Sequence, residues 1–384
     1  ADATGRSRLV AYVVEGTQGV PAADLRAFLC ARLPLSLVPA RFLRLKALPL
    51  NTSRKLDRAA LPRPPAFDRI PTEPRTEMER TLLDLFKTTL QLETAGIDDD
   101  FFECGGDSLG AFTLVTRIAE ITGTVAPASL LLEAPTVKRL AAALESQSRD
   151  GVWISRLNGA GPTSGGVVAC VPGVVGDPMV FSPIASLLKG DYGLLGISLV
   201  GLQAPWEGAR IVDEVVVRLR AAQPDGPYRL LGYSIGGILA FHLASRLIES
   251  GQRVSFLGMI DTSVPGQPRL APSSSAEITA HTLRRARNHA LPGQQPEAVR
   301  ARRGLAEALR RLPLVPAALA ITLFRAMESR LVDPTHGWGP LAQHGVDIEP
   351  VPGRHTDVMD AQYGQALAEA VRRALKRGDA THSR

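Results

Sequence analysis

Two serines in this chain stand among glycines at the start of an apolar, helix-spaced run: Ser108 in CGGDSLG and Ser234 in GYSIGG. A serine hydroxyl can attack an electrophile when a base takes its proton, or it can accept a group that another protein attaches. The first use needs a histidine that is itself oriented by a carboxylate. The residues separate the two cases. No histidine lies within residues 76–148 around Ser108, so that serine has no evident base and reads as modified rather than catalytic. Ser234 is followed by Asp261 in VSFLGMIDT and by His355 in VPGRHTDVM. That is the chain order Ser, Asp, His of a nucleophile borne on a strand-to-helix turn.

The elements that must hold these groups can be traced outward from Ser234. YRLLGY (228–233) reads as a strand and residues 235–249 as a helix, so the chain turns sharply at the serine. Gly232 and Gly236 remove the side chains that would clash beneath that turn. Asp261 ends the apolar strand 254–262, whereas Asp213, Asp225 and Asp347 fall in helices, loops or strand starts and read as surface acids. His355 sits in a loop just past the last strand, 346–351. His242 lies in the helix after Ser234, His281 and His289 lie on an arginine-rich helix, and His336 and His344 flank Trp338; all are less well placed. Two backbone N–H groups must meet the developing oxyanion. Ile235, directly after the nucleophile, supplies one. The loop after GVVACV (166–171) supplies the other at Val174, shaped by Pro172 and Gly173, with Cys170 in the strand core.

Alternating apolar runs and amphipathic segments across 151–384 imply an α/β domain. Between Asp261 and the strand ALAITLFRA (318–326) lies an insertion, about 265–313, with two amphipathic helices at 276–289 and 296–312. It holds nine arginines against three glutamates, while 76–148 holds twelve acids against five bases. Opposed charge of this kind guides encounter, with Arg284, Arg285, Arg302 and Arg303 as the first candidates.

Around Ser108, MERTLLDLFKTTLQL and SLGAFTLVTRIAEITG have helical spacing, and Ser108 falls at the N-cap of the second run. Cys104 reads as a buried structural thiol. RPPAFDRIPTEPRTE (63–77) is a proline-rich linker and ESQSRDG (145–151) a polar connector. Before the linker, LVAYVV and RFLRLKALP read as strands and DLRAFLCARLP as a helix, followed by LNTSRKLDRAALP.

Bulk properties bound the rest. The 384 residues are 45% hydrophobic, enough for two or three cores. Apolar runs are too short to span a membrane, no secretory pattern opens the chain, and Cys30, Cys104 and Cys170 are too scattered for disulfides or a metal site. The expectation is a cytoplasmic protein without metal or membrane. Its net charge of +6 comes from 44 basic residues of which only six are lysine. Arginine of this abundance reads as genome composition, and nucleic acid is not expected as a partner.

Three resemblances follow from the quoted motifs. LNTSRKLDRAALP resembles the end of adenylation domains of nonribosomal peptide synthetases. There Lys55 matches the lysine that reaches the acyl-adenylate, but Arg54 stands where the family has glycine. The rest of that domain is not in the sequence, so no adenylation is expected. DDDFFECGGDSL resembles the 4′-phosphopantetheine attachment motif of peptidyl carrier proteins, with a cysteine at 104 where leucine is usual. Residues 151–384 resemble type I thioesterase domains through VPGVVG, GPYRLLGYSIGG, GMIDT, TLFRA, GWGPL and PGRHTDVM in the family's order.

The resemblance implies a multidomain chain: a partial α+β adenylation subdomain (1–63), a linker (64–75), a four-helix carrier (76–148) and an α/β-hydrolase thioesterase (151–384) whose lid is the insertion. It implies phosphopantetheine on Ser108, a phosphopantetheinyl transferase and upstream synthetase domains as partners, and a peptidyl thioester as substrate. The expected function is chain release in the biosynthesis of a nonribosomal peptide, such as an antibiotic, by hydrolysis or ring closure. An editing thioesterase, a free-standing esterase and a non-catalytic carrier scaffold are the competing readings.

Overall fold

The computed structural model describes residues 10–14, 41–51, 53–62, 71–146, 151–158, 165–174, 176–268, 295–329 and 331–381, with Leu25, Leu29 and Pro39. Of the helix expected at 24–34 only Leu25 and Leu29 are described, both helical; Cys30, His281, His289, Arg284, Arg285 and most of the linker lie outside the described residues. The described residues form two compact units, 1–110 with 134–145, and 111–133 with 146–384.

In the first unit, β1 (Val10–Val14) pairs in parallel with β2 (Arg41–Leu45). Helix α1 (Glu77–Leu90) starts with a capping box, in which Thr76 and Glu79 each serve the other's backbone N–H. Its apolar face buries Leu82, Phe86 and Leu90. Phe101 is fully buried and meets Phe86 edge-on at 5.5 Å between ring centres. That ring organises the CGGDS loop. A side chain on Gly106 would overlap Phe101, and Gly105 takes a left-handed φ of 96°. The glycine pair therefore has a local packing reason. Cys104 is buried, as expected. The loop leads into α2 (Ser108–Thr122), which crosses from the first unit into the second. α3 (Leu130–Glu133) belongs to the second unit and α4 (Val137–Ser146) almost wholly to the first.

The second unit is built on seven strands: β3 (Gly151–Arg156), β4 (Val167–Val171), β5 (Gly193–Gly201), β6 (Tyr228–Tyr233), β7 (Val254–Ile260), β8 (Ile321–Ala326) and β9 (Val346–Val351). Their order is β3-β5-β4-β6-β7-β8-β9; only β3 is antiparallel, at the edge. Strands β4 to β8 are nearly continuous apolar runs, as a parallel sheet covered on both faces requires. On one face lie α6 (Gly208–Ala222), α7 (Ile235–Glu249) and α8 (Gln295–Arg310); on the other lie α5 (Ser182–Leu188) and α9 (Ala361–Thr381). The chain leaves β4 to form β5 on one side and returns to form β6 on the other. In such sheets the crevice for ligands opens at the carboxyl ends of those two central strands.

Helix α8 makes up most of the described part of the arginine-rich insertion. Leu305, Ala306 and Leu309 are buried, and a side chain on Gly304 would overlap Trp206. This helix is packed against the sheet unit rather than detached from it. Arg302 is partly buried near Asp177, whose charge opposes the lowering of the guanidinium pKa by burial. Arg303 is exposed. Asp177 is itself fully buried, accepting from the Met179 amide at 2.9 Å and the Ala128 amide at 2.6 Å. Burial raises its pKa against those bonds.

Candidate active site

Ser234 lies between β6 and α7 with φ 55° and ψ −128°, a conformation that costs a non-glycine residue on the order of 1–3 kcal/mol. The surroundings enforce it. The Ser234 N–H donates to Ile260 O at 3.0 Å, and the Thr262 hydroxyl donates to Ser234 O at 2.9 Å. A side chain on Gly232 would overlap Gly237, and one on Gly236 would overlap the Val171 and Pro172 carbonyls. Gly237 is equally constrained, because any Cβ would run into Thr262. The motif pattern alone left that third glycine without a reason.

Asp261 and His355 arrive where the sequence places them. The Ser234 Oγ stands 2.9 Å from His355 Nε2, and His355 Nδ1 stands 2.9 Å from Asp261 Oδ2 and 3.1 Å from Asp261 O. The other carboxylate oxygen accepts the Ala326 amide at 3.0 Å, at the end of β8. Asp261 is 4% exposed. Burial would raise its pKa, but the hydrogen bond and charge of His355, with His336 and the Ala326 amide, outweigh it and hold the carboxyl below the ordinary range. Tyr233 donates its hydroxyl to His355 O at 2.7 Å and stacks on the imidazole at 5.7 Å, which fixes the loop carrying the base.

The loop after β4 lies against the nucleophile: a Cβ built on Gly173 would stand 3.4 Å from Ser234 Cβ. The peptide joining Gly173 to Val174 is thus beside the serine, and Ile235 is the first residue of α7. Helix N-termini leave N–H groups unpaired within the helix, which is the chemistry an oxyanion site requires. Cys170 is fully buried and burial pushes its thiol pKa far up, in keeping with a core role.

Several neighbours were not read from the sequence. Trp338 is fully buried and its Nε1 donates to Thr262 O at 3.0 Å. His336, which sequence spacing ranked below His355, is also fully buried and lies 3.9 Å from Asp261 Oδ1. The signal was present in GWGPL and its flanks, but only the fold brings that loop behind the acid.

Ser108 is the first residue of α2 and is half-buried. It is not the cap expected from the pattern. Asp107 takes that part, accepting the Gly110 amide at 2.8 Å, because the helix begins at Ser108 and leaves Asp107 as the flanking residue whose side chain reaches the third helical N–H. Lys55 is exposed on a loop closed by Asn51, whose Oδ1 accepts the Lys55 amide at 3.0 Å. Arg54, standing where the resembled family has glycine, takes φ 59°, the left-handed region that glycine favours.

A family described as the thioesterase domain matches residues 167–375, and one described as the phosphopantetheine attachment site matches residues 80–144. The dimodular nonribosomal peptide synthase of Bacillus subtilis (strain 168) is 38% identical over 269 residues, covering 68% of this chain and 11% of that protein. Enterobactin synthase component F of Escherichia coli (strain K12) is 31% identical over 407 residues, covering 98% of this chain and 31% of its own length. The chain therefore spans less than a third of either relative. A crystal structure of a holo four-domain nonribosomal peptide synthetase bound to AMP and glycine superposes with a TM-score of 0.50 at 25% identity, covering 95% of this chain and 31% of that one.

Proposed function

This chain belongs to the thioesterase domain family, and from that premise we propose that it releases an acyl or peptidyl chain from a carrier thioester by way of an ester on Ser234. The carrying observation is the hydrogen-bonded line Ser234 Oγ, His355 Nε2, His355 Nδ1, Asp261 Oδ2, each link 2.9 Å, set at the crevice end of the sheet. A thioester suits such a site, since its carbonyl is electrophilic and a thiolate is a good leaving group.

In this reading His355 Nε2 takes the Ser234 proton as Oγ attacks the thioester carbonyl. Asp261 holds the Nδ1–H tautomer and stabilises the imidazolium that results. The N–H groups of Ile235 and Val174 receive the oxyanion. Collapse of the tetrahedral centre breaks the C–S bond, His355 returns its proton to the leaving sulfur, and the acyl group remains on Ser234. His355 then takes a proton from water or from an amine or hydroxyl of the acyl chain itself. The second attack frees Ser234 and yields an acid or a ring.

The match over 80–144 indicates covalent phosphopantetheine, and Ser108 is the residue we assign to it, within a carrier of 76–148 next to a thioesterase of 151–384. The residues fit the group. A half-buried serine opens a 15-residue helix, where the positive end of the helix dipole favours a phosphate, and Asp107 already provides the cap. When bound, the group supplies a flexible thiol on which an acyl chain is presented. Lys55 remains a match to an adenylation-type lysine, and a phosphopantetheinyl transferase and upstream synthetase modules are the partners this reading requires. Among the described residues no helix is long and apolar enough to cross a membrane.

The test is to load a synthetic peptidyl group through coenzyme A and a phosphopantetheinyl transferase, then analyse the products by mass spectrometry. Release that depends on Ser234 supports the reading, and the product mass separates acid from ring. Release that persists in Ser234→Ala overturns it.

A further inference from the structure

Asp261 lies between two histidines, and the mechanism above uses one. His355 is partly open to solvent, with 25% of its side chain exposed; the side chain of His336 is wholly buried. His336 sits in the loop Asp333–Trp338, where its φ is 53°. Asp333 winds that loop tightly, accepting from the Thr335 amide at 2.9 Å and the Gly337 amide at 2.8 Å. The His336 N–H donates to Asp333 O at 3.0 Å, and the His336 carbonyl accepts from Val264 at 2.9 Å. The ring is thus held from both sides of its own backbone.

The ring contacts fix its tautomer. Nδ1 lies 3.3 Å from Thr262 O, and Nε2 lies 3.3 Å from Ser329 Oγ. A carbonyl oxygen only accepts, so Nδ1 carries the hydrogen and Nε2 accepts from the Ser329 hydroxyl. The same Nδ1–H is 3.9 Å from Asp261 Oδ1. Thr262 O also receives the Trp338 indole N–H at 3.0 Å, while the Thr262 hydroxyl holds Ser234 O at 2.9 Å. One loop therefore holds Thr262, which follows the acid in the chain and hydrogen-bonds the carbonyl of the nucleophile.

Resting on the triad reading above, we propose that His336, as a neutral Nδ1–H donor, is a positioning residue that sets the charge on Asp261 and locks the Asp261–Thr262 backbone behind the triad. Neutrality is what suits it. The charged and titratable groups facing it are Asp261, which favours a proton, and Arg325 and His355, which oppose one; Asp333 lies close by on its own loop. Burial is the largest influence and keeps the imidazole unprotonated. A neutral N–H tempers the negative potential of Asp261 without adding a cation that would compete with the imidazolium formed at His355.

The sign of the effect follows. Loss of the donor leaves Asp261 a more negative neighbour for the rest of the site, and the pH dependence of turnover is where that change is read. In His336→Leu the acidic limb of the kcat/KM profile for a soluble acyl thioester is expected to move up by about half a pH unit. The kcat is expected to fall about tenfold with KM little changed. His336→Asn should restore the wild-type limb, because its amide N–H reaches the Nδ1 position and asparagine tolerates a positive φ. His336→Gln, whose amide falls nearer the Nε2 position, should behave as the leucine variant does.

Folded fractions are read by circular dichroism in parallel. A purely structural role would lower stability and activity together and leave the acidic limb in place in every folded variant, which overturns the proposal. If the leucine variant does not fold, the asparagine and glutamine variants decide: identical profiles for the two overturn it. A wild-type protein that turns over no thioester would instead overturn the triad reading beneath.

Discussion

The two glycine-flanked serines share a short pattern and almost nothing else. Ser108 has the ordinary backbone of a first helical residue, its helix is capped by Asp107, and its surrounding segment contains no histidine. Ser234 is forced into φ 55° by a sheet strand, three glycines and a threonine, and points its hydroxyl at an imidazole. Strain and a held base suit the nucleophile proposed at Ser234. A relaxed helix start with a half-buried serine suits the attachment point proposed at Ser108. The glycines differ accordingly: those before Ser108 admit a left-handed turn and the Phe101 ring, whereas those around Ser234 let a helix and a strand meet backbone to backbone.

The largest expected effect tests the comparison directly. Treatment with coenzyme A and a phosphopantetheinyl transferase should add one arm by intact mass, an increment lost in Ser108→Ala and kept in Ser234→Ala. Release of a loaded chain should fall by about three to six orders of magnitude in Ser234→Ala. An arm found on Ser234, or normal release without its hydroxyl, would reverse the two assignments.

Next in size is the acid. Asp261→Asn preserves shape but offers His355 an amide in place of a charge, and thioester turnover should drop by about 10⁴-fold. A loss below tenfold, with His336→Asn more damaging, would mean that the wrong histidine has been paired with this carboxylate.

The elbow packing is sharpened by Gly237→Ala, which meets Thr262. Forcing a methyl group into so close a contact costs about 1–3 kcal/mol. A fall in melting temperature together with lower kcat is expected, and a neutral outcome would show that the third glycine is not needed.

A smaller effect concerns pH. His242 is a half-buried histidine of the elbow helix whose pKa is lowered by desolvation, aided by Arg246. A histidine kept neutral in the fold takes up its proton first in the unfolded chain. Its contribution to stability is complete above the ordinary histidine range, about pH 6.5, and declines as pH falls toward the folded value. Thermal denaturation at pH 7.5 and 5.5 should show this loss, and His242→Leu should make it shallower. An equal slope in that variant would exclude His242 as its source.

The smallest effect belongs to the insertion. Exposed Arg303→Glu should change stability by less than about 0.5 kcal/mol, yet slow release from a separately supplied carrier, most at low salt. Arg302→Glu places a second acid near buried Asp177 and should cost more in stability than in salt dependence. Release that ignores both changes and salt would make these arginines a solvated and packed face only.

Local pattern carried much of this. The strand 228–233 and helix 235–249 around Ser234 stand as read, because a buried parallel strand and an amphipathic helix write their periods into consecutive residues. The last strand, 346–351, stands likewise. Asp261 and His355 could be chosen because the one follows directly on a strand and the other lies in the loop just past the last strand. What the pattern could not carry is contact between distant segments. His336 reaches the acid only because β7 and β8 lie side by side and the Asp333 loop folds beneath them. Gly237 is obligatory only because Thr262 arrives from the next strand. Arg302 reads as a solvated charge until α8 is laid near Asp177. At Ser108 the error was local: two neighbouring residues could both cap the helix, and the geometry chose Asp107, whose carboxylate reaches the Gly110 amide. Residue types and their spacing along single elements were thus determined by the sequence alone. Which polar groups are buried together, and so which of them change one another's charge, was decided only by tertiary packing, since desolvation depends on what closes over a group from elsewhere in the chain.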